Sequence, residues 1–455
     1  MDRKRRDYPW RRNRRRLLLI IFCVLGAVML ALAVVNWRGE STFQKQIAAI
    51  HAKGEPVTPQ ELQQRYPEPP KEQNAAETYT RSFAAAKESS TKQDFFRRSG
   101  KVYETPAKEL FAEAFRKWME ESLADNAEAL ALLHEAARKP AAQYPMDINK
   151  GWEAAIPNLL KVRTSAVLLQ LEAILAAQDG DTDRVVEAVL AGLAVGNAMR
   201  DGPCLIMQMI RIACYGITCT GIRHTLAIAD FSDDQLAQMQ SALGAADDGE
   251  ALTRALIGER VMTLVAFDHP AQMVPQVRQA DDWFPGGAAV ATGLLRMANA
   301  ANGNREEYLS VMGQAIDASR KPPHEALPLL QQIAERENGD HSWFSMMSVS
   351  HIVPNCSRSE AQLARSSALV RGANTALAVE RHRLANGRMP ESLGNLTPAF
   401  MPAVPMDPFN GEPLRYKHGE DGYSVYSVGE DQTDNGGESG PQNGNDVVFR
   451  VTHSQ

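Results

Sequence analysis

One apolar run in the chain is long enough to cross a lipid bilayer. The run, LLLIIFCVLGAVMLALAVV, extends from Leu17 to Val35 without a charged residue. About 20 helical residues, each rising about 1.5 Å, cross the hydrocarbon core of a bilayer. Trp37 follows at the membrane–water boundary, where indole side chains prefer to lie. The sequence therefore predicts a transmembrane helix over residues 17–36.

The residues before this run are strongly basic. The stretch MDRKRRDYPWRRNRRR holds nine Lys or Arg and two Asp. Because basic flanks stay in the cytoplasm, we expect a cytoplasmic tail over residues 1–16 and an extracytoplasmic body. This arrangement is typical of a single-pass protein of the bacterial inner (cytoplasmic) membrane, with its bulk in the periplasm. A cleavable signal peptide is the alternative, since Ala31-Leu32-Ala33 has the small residues of a cleavage site.

The charge of the body argues against one class of partner. The chain carries a formal net charge of −6, and its basic tail (1–16) carries +7, which leaves −13 for the rest. Nucleic acid demands a basic footprint, so we expect no nucleic-acid partner. The basic tail and the apolar run instead predict the lipid bilayer as a partner through residues 17–36.

A second apolar stretch, CLIMQMIRIACYGITCTGIRHTLAIA, is interrupted by Arg211 and Arg223. A charged residue inside a membrane span is costly, so this pattern favours a buried helix of a soluble core. Cys214 and Cys219 lie on it five residues apart, and the chain has no C-x-x-C motif. We therefore expect the extracytoplasmic cysteines to be buried thiols.

The residues after the anchor change character at Gly54. A juxtamembrane helix is expected up to that glycine. The stretch GEPVTPQELQQRYPEPPKEQNAA then predicts an extended, semi-rigid connector because proline interrupts helices. From residue 74 the apolar spacing is helical and predicts an irregular α-helical bundle or solenoid-like domain. We place a loop over Phe267–Gly287 and a helix end at Asn338-Gly339, where glycine favours termination.

Capping signals mark individual helices in this region. Pro157 is expected near the first turn of one helix, and Gly180 just past its last turn, as these residue types favour. The next helix follows a tight Gly-Asp turn, so the two should pack as a hairpin. Ser232 and Gln235, in the stretch FSDDQLAQMQSALG, occupy capping-box positions.

The C-terminal part predicts a small α+β module. Its helix should end at Gly387, and the stretches LRYK, YSVYSV and DVVFRV alternate as the strands of an antiparallel sheet do. The fold class is therefore mainly α, with this module at the end. The predicted divisions are a basic tail (1–16), a transmembrane helix (17–36), a juxtamembrane helix and Pro-rich connector (37–73), an α-helical domain (74–350) and the C-terminal module (359–455).

This module resembles the C-terminal half of the major pseudopilin of type II secretion systems. The matching stretches are RHRLANGRMPESLGNL (Arg381–Leu396), VPMDPFNGEPLRY (Val404–Tyr416), GYSVYSVGEDQTDNGG and NDVVF. In that family a D-P-W-G-x-P-Y-x-Y-like signature precedes strands that flank a calcium-binding loop. Here Phe409 stands for the tryptophan, and one extra residue precedes Pro413.

The resemblance implies a fold and a bound ion, without implying filament assembly. Pseudopilins carry a glutamate five residues into the mature helix, and Leu17–Val35 contains no acidic residue. The overall layout resembles a set of uncharacterised bacterial membrane-anchored proteins, which implies an architecture and no chemistry.

Between the last strands lies an acidic loop, defined here as residues 427–446, with no Lys or Arg. Calcium prefers carboxylate, amide and backbone oxygens, and a divalent ion would relieve the repulsion among these carboxylates. The resemblance and this chemistry together predict a structural Ca²⁺ site at Asp431, Asp434, Asn435 and Asp446. The alternative is a solvated loop, rich in Gly and Asn because turns favour them.

No familiar catalytic motif occurs in the sequence. We find no G-x-S-x-G elbow, no G-x-x-x-x-G-K-[ST] loop and no G-x-G-x-x-G after a strand, the motifs of common hydrolases and nucleotide-binding enzymes. The expected function is a non-enzymatic membrane-anchored scaffold or adaptor that binds a protein through its helical domain. The alternatives are an accessory component of a type II secretion or pilus-like assembly and a hydrolase with a dispersed active site.

Overall fold

The computed structural model describes residues 39–87, 102, 113–269, 304–339, 349–419, 421–440 and 444–453. Over these residues the chain is mainly helical and ends in a three-stranded antiparallel sheet, so the predicted fold class is confirmed to that extent. The predicted transmembrane helix over residues 17–36 lies outside the described residues. The helices are α1 (39–52), α2 (Pro59–Arg65), α3 (Ala76–Ala85), α4 (Glu113–Asp125), α5 (Ala127–Ala137), α6 (Leu159–Gln178), α7 (Thr182–Asn197), α8 (Leu205–Leu226), α9 (Asp233–Ala246), α10 (Ala251–Asp268), α11 (Asn304–Ser319), α12 (Pro323–Gly339) and α13 (Val349–Asn386). The strands are β1 (Arg415–Gly419), β2 (Gly422–Ser427), β3 (Ser439–Gly440), β4 (Gly444–Asn445) and β5 (Val447–Thr452).

Side-chain caps fix several helix starts. The capping box predicted for Ser232 and Gln235 is confirmed at the start of α9. Asn158 caps α6, and Pro157 lies directly before this cap, near the first turn as predicted. Gly180 has a positive φ just beyond the end of α6, as expected for a residue that leaves the helix in a left-handed conformation.

The Pro-rich connector, which the sequence predicted to be extended, contains a short helix, α2. Thr58 and Glu61 form a capping box, and Pro59 occupies the first turn of α2, where a proline costs no hydrogen bond. Leu62 and Val57 are buried in the same apolar cluster as residues of α10, α11 and α12. The Pro-rich stretch is therefore in part an element of the core.

The predicted loop over Phe267–Gly287 begins too early. Helix α10 continues through Phe267 to Asp268, and Phe267 is buried against Tyr308 at a ring-centroid distance of 5.7 Å. Residues 270–287 of the predicted loop lie outside the described residues.

Helix α8 lies inside the protein, packed on α6, α7 and α13. Of the helices described, only Leu205–Leu226 is long and apolar enough to cross a membrane, and most of it is buried in the protein. Arg211 on this helix is 1% exposed, and its Nη1 lies 3.1 Å from Asp248 Oδ2. Burial would raise the pKa of Asp248, but the hydrogen bond from Arg254 and the charge of Arg211 lower it to about 2. The four described cysteines are buried free thiols, as predicted.

The sheet packs on the last helix. Strands β1, β2 and β5 are antiparallel, with Val425 opposite both Phe449 and Tyr416. A Cβ at Gly372 would lie 3.2 Å from Cβ of Phe449, so this glycine lets α13 approach β5 closely. Helix α13 runs unbroken through the predicted boundary between residues 350 and 359, and its Leu377 shares one core with α7, α8, α9 and the sheet. The other domain boundaries remain predictions.

Candidate functional site

Asp446 is the buried carboxylate of the acidic loop. It is 1% exposed, and its oxygens accept the N–H groups of Asn435 at 3.3 Å and Gly437 at 2.7 Å. These bonds fold the loop back on the residue that precedes β5. Asp446 is thus held by the chain's own backbone.

Neighbouring strands supply the positive charge that the acidic loop lacks. Arg415 Nε of β1 lies 2.9 Å from Asp434 Oδ2, and Lys417 Nζ donates to Gly436 O at 2.8 Å. The Gly436 N–H and the Arg415 guanidinium lower the pKa of Asp434 below its usual value. Sequence reasoning missed this compensation because the cations come from a different strand.

Among the described residues, the predicted carboxylate ligands are each bonded to groups of the chain itself. Asp431 is exposed, and its Oδ1 accepts the Thr433 N–H at 3.1 Å, whereas Asp434 and Asp446 bond to the groups given above. Within the described ranges, no group of three or more His, Cys, Asp or Glu side chains could share a metal ion. The calcium site therefore remains a prediction, and ion binding would require the loop to exchange some of these bonds.

Asp407 organises the turn before the sheet. Its carboxylate is 1% exposed, and Oδ1 accepts from Phe409 N at 2.9 Å and from Ser427 Oγ at 2.7 Å. Oδ2 accepts from Val428 N at 2.8 Å. Asp407 therefore ties the D-P-F-N-G turn to the end of β2.

The same turn forms one wall of an open cleft of about 730 Å³, named here the polar cleft. Its other walls are the α9–α10 connection, the start of α12 and the middle of α13. The residues that line it include Gly244, Asp247, Lys321, His324, Arg371 and Met406.

The walls of the polar cleft are apolar over most of their area, and a few side chains supply its charged and hydrogen-bonding groups. Arg371 bridges two walls, because its Nε donates to Asp247 Oδ2 at 2.7 Å and its Nη1 to Met406 O at 2.7 Å. Lys321 Nζ lies 3.2 Å from Glu325 Oε2. This pair is exposed, so it contributes little to stability. Met406 is 48% exposed. The charged groups on these walls can bind a polar or acidic chain segment. No sequence motif predicted the cleft.

A buried ion pair joins the juxtamembrane segment to the body. Glu55 Oε2 lies 2.7 Å from Arg260 Nη1, and its Oε1 accepts from Arg320; we call these three residues the Glu55 clamp. Arg260 also donates to Pro56 O at 2.9 Å. Burial alone would raise the pKa of Glu55, but the bonds from Arg320 and Arg260 lower it below its usual value.

Comparisons of the chain with protein-family models, with curated proteins and with solved structures give no match. The resemblance of the C-terminal module to pseudopilins therefore remains a prediction that rests on its motifs.

Proposed function

We propose that the protein is a membrane-anchored extracytoplasmic scaffold or adaptor, held in a fixed orientation near the bilayer and binding a protein partner at the polar cleft. The observation that carries this proposal is the Glu55 clamp, which makes the juxtamembrane segment part of the folded body. A flexible tether would let the body rotate freely, whereas a packed one presents the same face at all times.

Further contacts of α1 support the fixed orientation. The described part of helix α1 begins at residue 39, close to the predicted membrane span. Its Gln46 Nε2 donates to Glu306 O at 3.0 Å, and Lys53 Nζ lies 2.9 Å from Asp317 Oδ2. Ile50 is buried in the cluster shared with α10 and α11. The membrane anchor and the body should therefore move together.

Site-specific photo-crosslinking in living cells tests the partner. A photoreactive amino acid replaces Met406 in the polar cleft, and a matched variant carries it at Leu384, which is similarly exposed at 46% but lies away from the cleft. We expect a reproducible protein adduct at position 406 and none at 384. A cleft position that gives no adduct would count against the binding role.

The predicted topology needs its own measurement. Protease added to intact spheroplasts should digest the body while the basic tail over residues 1–16 stays protected by the membrane. A body that resists the protease until the cells are lysed would contradict the extracytoplasmic placement.

An accessory role in a secretion or pilus-like assembly is the second proposal. It is supported by the order of elements after Asn386: the Asp407 turn, the antiparallel strands and the acidic loop follow one another as the resemblance implies. Because the module shares its core with α7–α9, its deletion would unfold the body. The test therefore deletes the gene for the whole protein and measures secretion by the cells. Unchanged secretion would exclude this role.

A further inference from the structure

A separate cavity of about 350 Å³ lies between the start of α8, the middle of α10 and α13. We call it the Glu259 cavity, after the carboxylate in its wall. Leu205, Ile206 and Met209 of α8 make one side apolar, whereas Arg358 and Ser359 of α13 lie across from them. It shares no lining residue with the polar cleft.

Glu259 is a carboxylate without a cation. Its Oε1 accepts the Leu205 N–H at 3.0 Å, which satisfies one donor at the start of α8. In the described part of the chain, no Lys, Arg or His forms an ion pair with it, and its second oxygen has no hydrogen-bond donor. Arg358 lines the same cavity, and it forms no ion pair with another residue of the described ranges. Burial raises the pKa of Glu259, and the Leu205 bond opposes that rise.

An apolar surface lies beside this charge. Ile206 is 48% exposed on a helix that is otherwise mostly buried. Ile206 lines the cavity together with Leu205 and Met209, so these side chains form a continuous apolar part of its wall. A partly buried carboxylate without a counter-charge is unfavourable, and a cation that enters the cavity removes that cost. A ligand that also buries aliphatic surface on Ile206 and Met209 gains the hydrophobic contribution.

We propose that the Glu259 cavity binds a primary ammonium group carried on an apolar stem, with the ammonium at Glu259 and the stem against Ile206 and Met209. Small aliphatic amines and the lysine side chain of a protein share this chemistry. We expect the cavity to select by charge and by apolar contact, independently of the polar cleft.

The test uses the full chain in detergent at pH 8, which lies between the ordinary pKa of a carboxyl group and that of an aliphatic amine. Isothermal titration measures n-butylamine, N-acetyl-lysine methylamide as the blocked lysine, and n-butanol as the neutral probe. We expect saturable binding of at least one amine and none of butanol. Binding of the free amine alone identifies a small-molecule site, and binding of the blocked lysine identifies a site for a protein side chain.

Two variants locate the interaction. Glu259→Gln keeps an oxygen for the Leu205 N–H and removes the charge, so it should fold and bind amine about tenfold more weakly or worse. Ile206→Ser should weaken binding about threefold by removing apolar contact. Glu187→Gln is the matched control, since it removes the same charge from an exposed position of α7. Equal amine binding by wild type and Glu259→Gln, tight binding of butanol, or no saturable amine binding would each overturn the proposal.

Discussion

A single glycine decides how closely helix α10 approaches the segment before α8. A Cβ at Gly258 would lie 1.9 Å from Pro203 O, a backbone atom that cannot move aside freely. Gly258→Ala should therefore lower the free energy of unfolding by about 1–3 kcal/mol through overpacking, measured by urea denaturation. Gly313→Ala is the control, because a Cβ there meets open space and alanine favours the helix. A Gly258→Ala protein as stable as Gly313→Ala would contradict this close approach.

Glu360 makes stability depend on pH at the residue scale. The side chain is 5% exposed on α13, and burial raises its pKa to about 7. A carboxyl whose pKa is raised in the folded state favours folding when protonated. Its contribution is therefore lost as pH rises from about 4.5 to about 7. Glu360→Gln should thus stabilise the protein at pH 8 by on the order of 2 kcal/mol and change little at pH 4.

Thermal melts of Glu360→Gln and wild type at both pH values check this prediction. Glu187→Gln is the control, because it replaces a carboxylate that is exposed to water. Its stability relative to wild type should be the same at pH 4 and pH 8. A difference between wild type and Glu360→Gln that is the same at pH 4 and pH 8 would show that Glu360 does not titrate in this range.

At the scale of elements, the turn around Asp407 holds the sheet in place. Its carboxylate satisfies the N–H groups of Phe409 and Val428 and the hydroxyl of Ser427 in a buried site. Asp407→Ala leaves these donors without a partner, so we expect a loss of about 2 kcal/mol or more, measured by urea denaturation. Asp431→Asn on the exposed part of the acidic loop should change stability far less. Similar losses in both variants would mean that the turn does not hold β2.

Calcium should stabilise the folded protein through the acidic loop. If calcium binds there with an affinity of about 10⁻⁴ M, typical of the tighter extracellular modules, about 1 mM calcium should stabilise the folded protein by about 1.4 kcal/mol. The measurement is a calorimetric melt with calcium and then with chelator, on wild type and on Asp431→Asn. An identical melting temperature in calcium and chelator would leave the loop as a solvated turn held by Asp446 and Arg415.

On the scale of the whole molecule, the anchor-proximal residues belong to the body. Ile50, Val57 and Leu62 are buried with α10, α11 and α12, and the Glu55 clamp lies beside them. A fragment covering residues 74–455 should therefore be less stable than one covering residues 39–455, by more than about 3 kcal/mol from lost apolar burial. Equal melting temperatures of the two fragments would show that residues 39–73 add nothing to the stability of the body.

Local signals carried most of the prediction of the fold. The Ser232 cap, the glycines at 180 and 387 and the alternating strands all act within a few residues, and the structure confirms them. The proline content of the connector predicted an extended chain there. A proline in the first turn is nevertheless compatible with a helix such as α2. The candidate sites were not foreseen, since the polar cleft and the Glu259 cavity each combine side chains from distant parts of the chain.

The sequence by itself determined where many helices and strands begin and end, and it placed the acidic loop between β2 and β5, because caps, turns and apolar periodicity depend on neighbouring residues. Only the tertiary structure decided which charges meet. Glu55 reaches Arg260 across 205 positions of sequence, and Asp434 reaches Arg415 on another strand. Such pairs form when packing brings their elements together, and no short stretch of sequence contains that information.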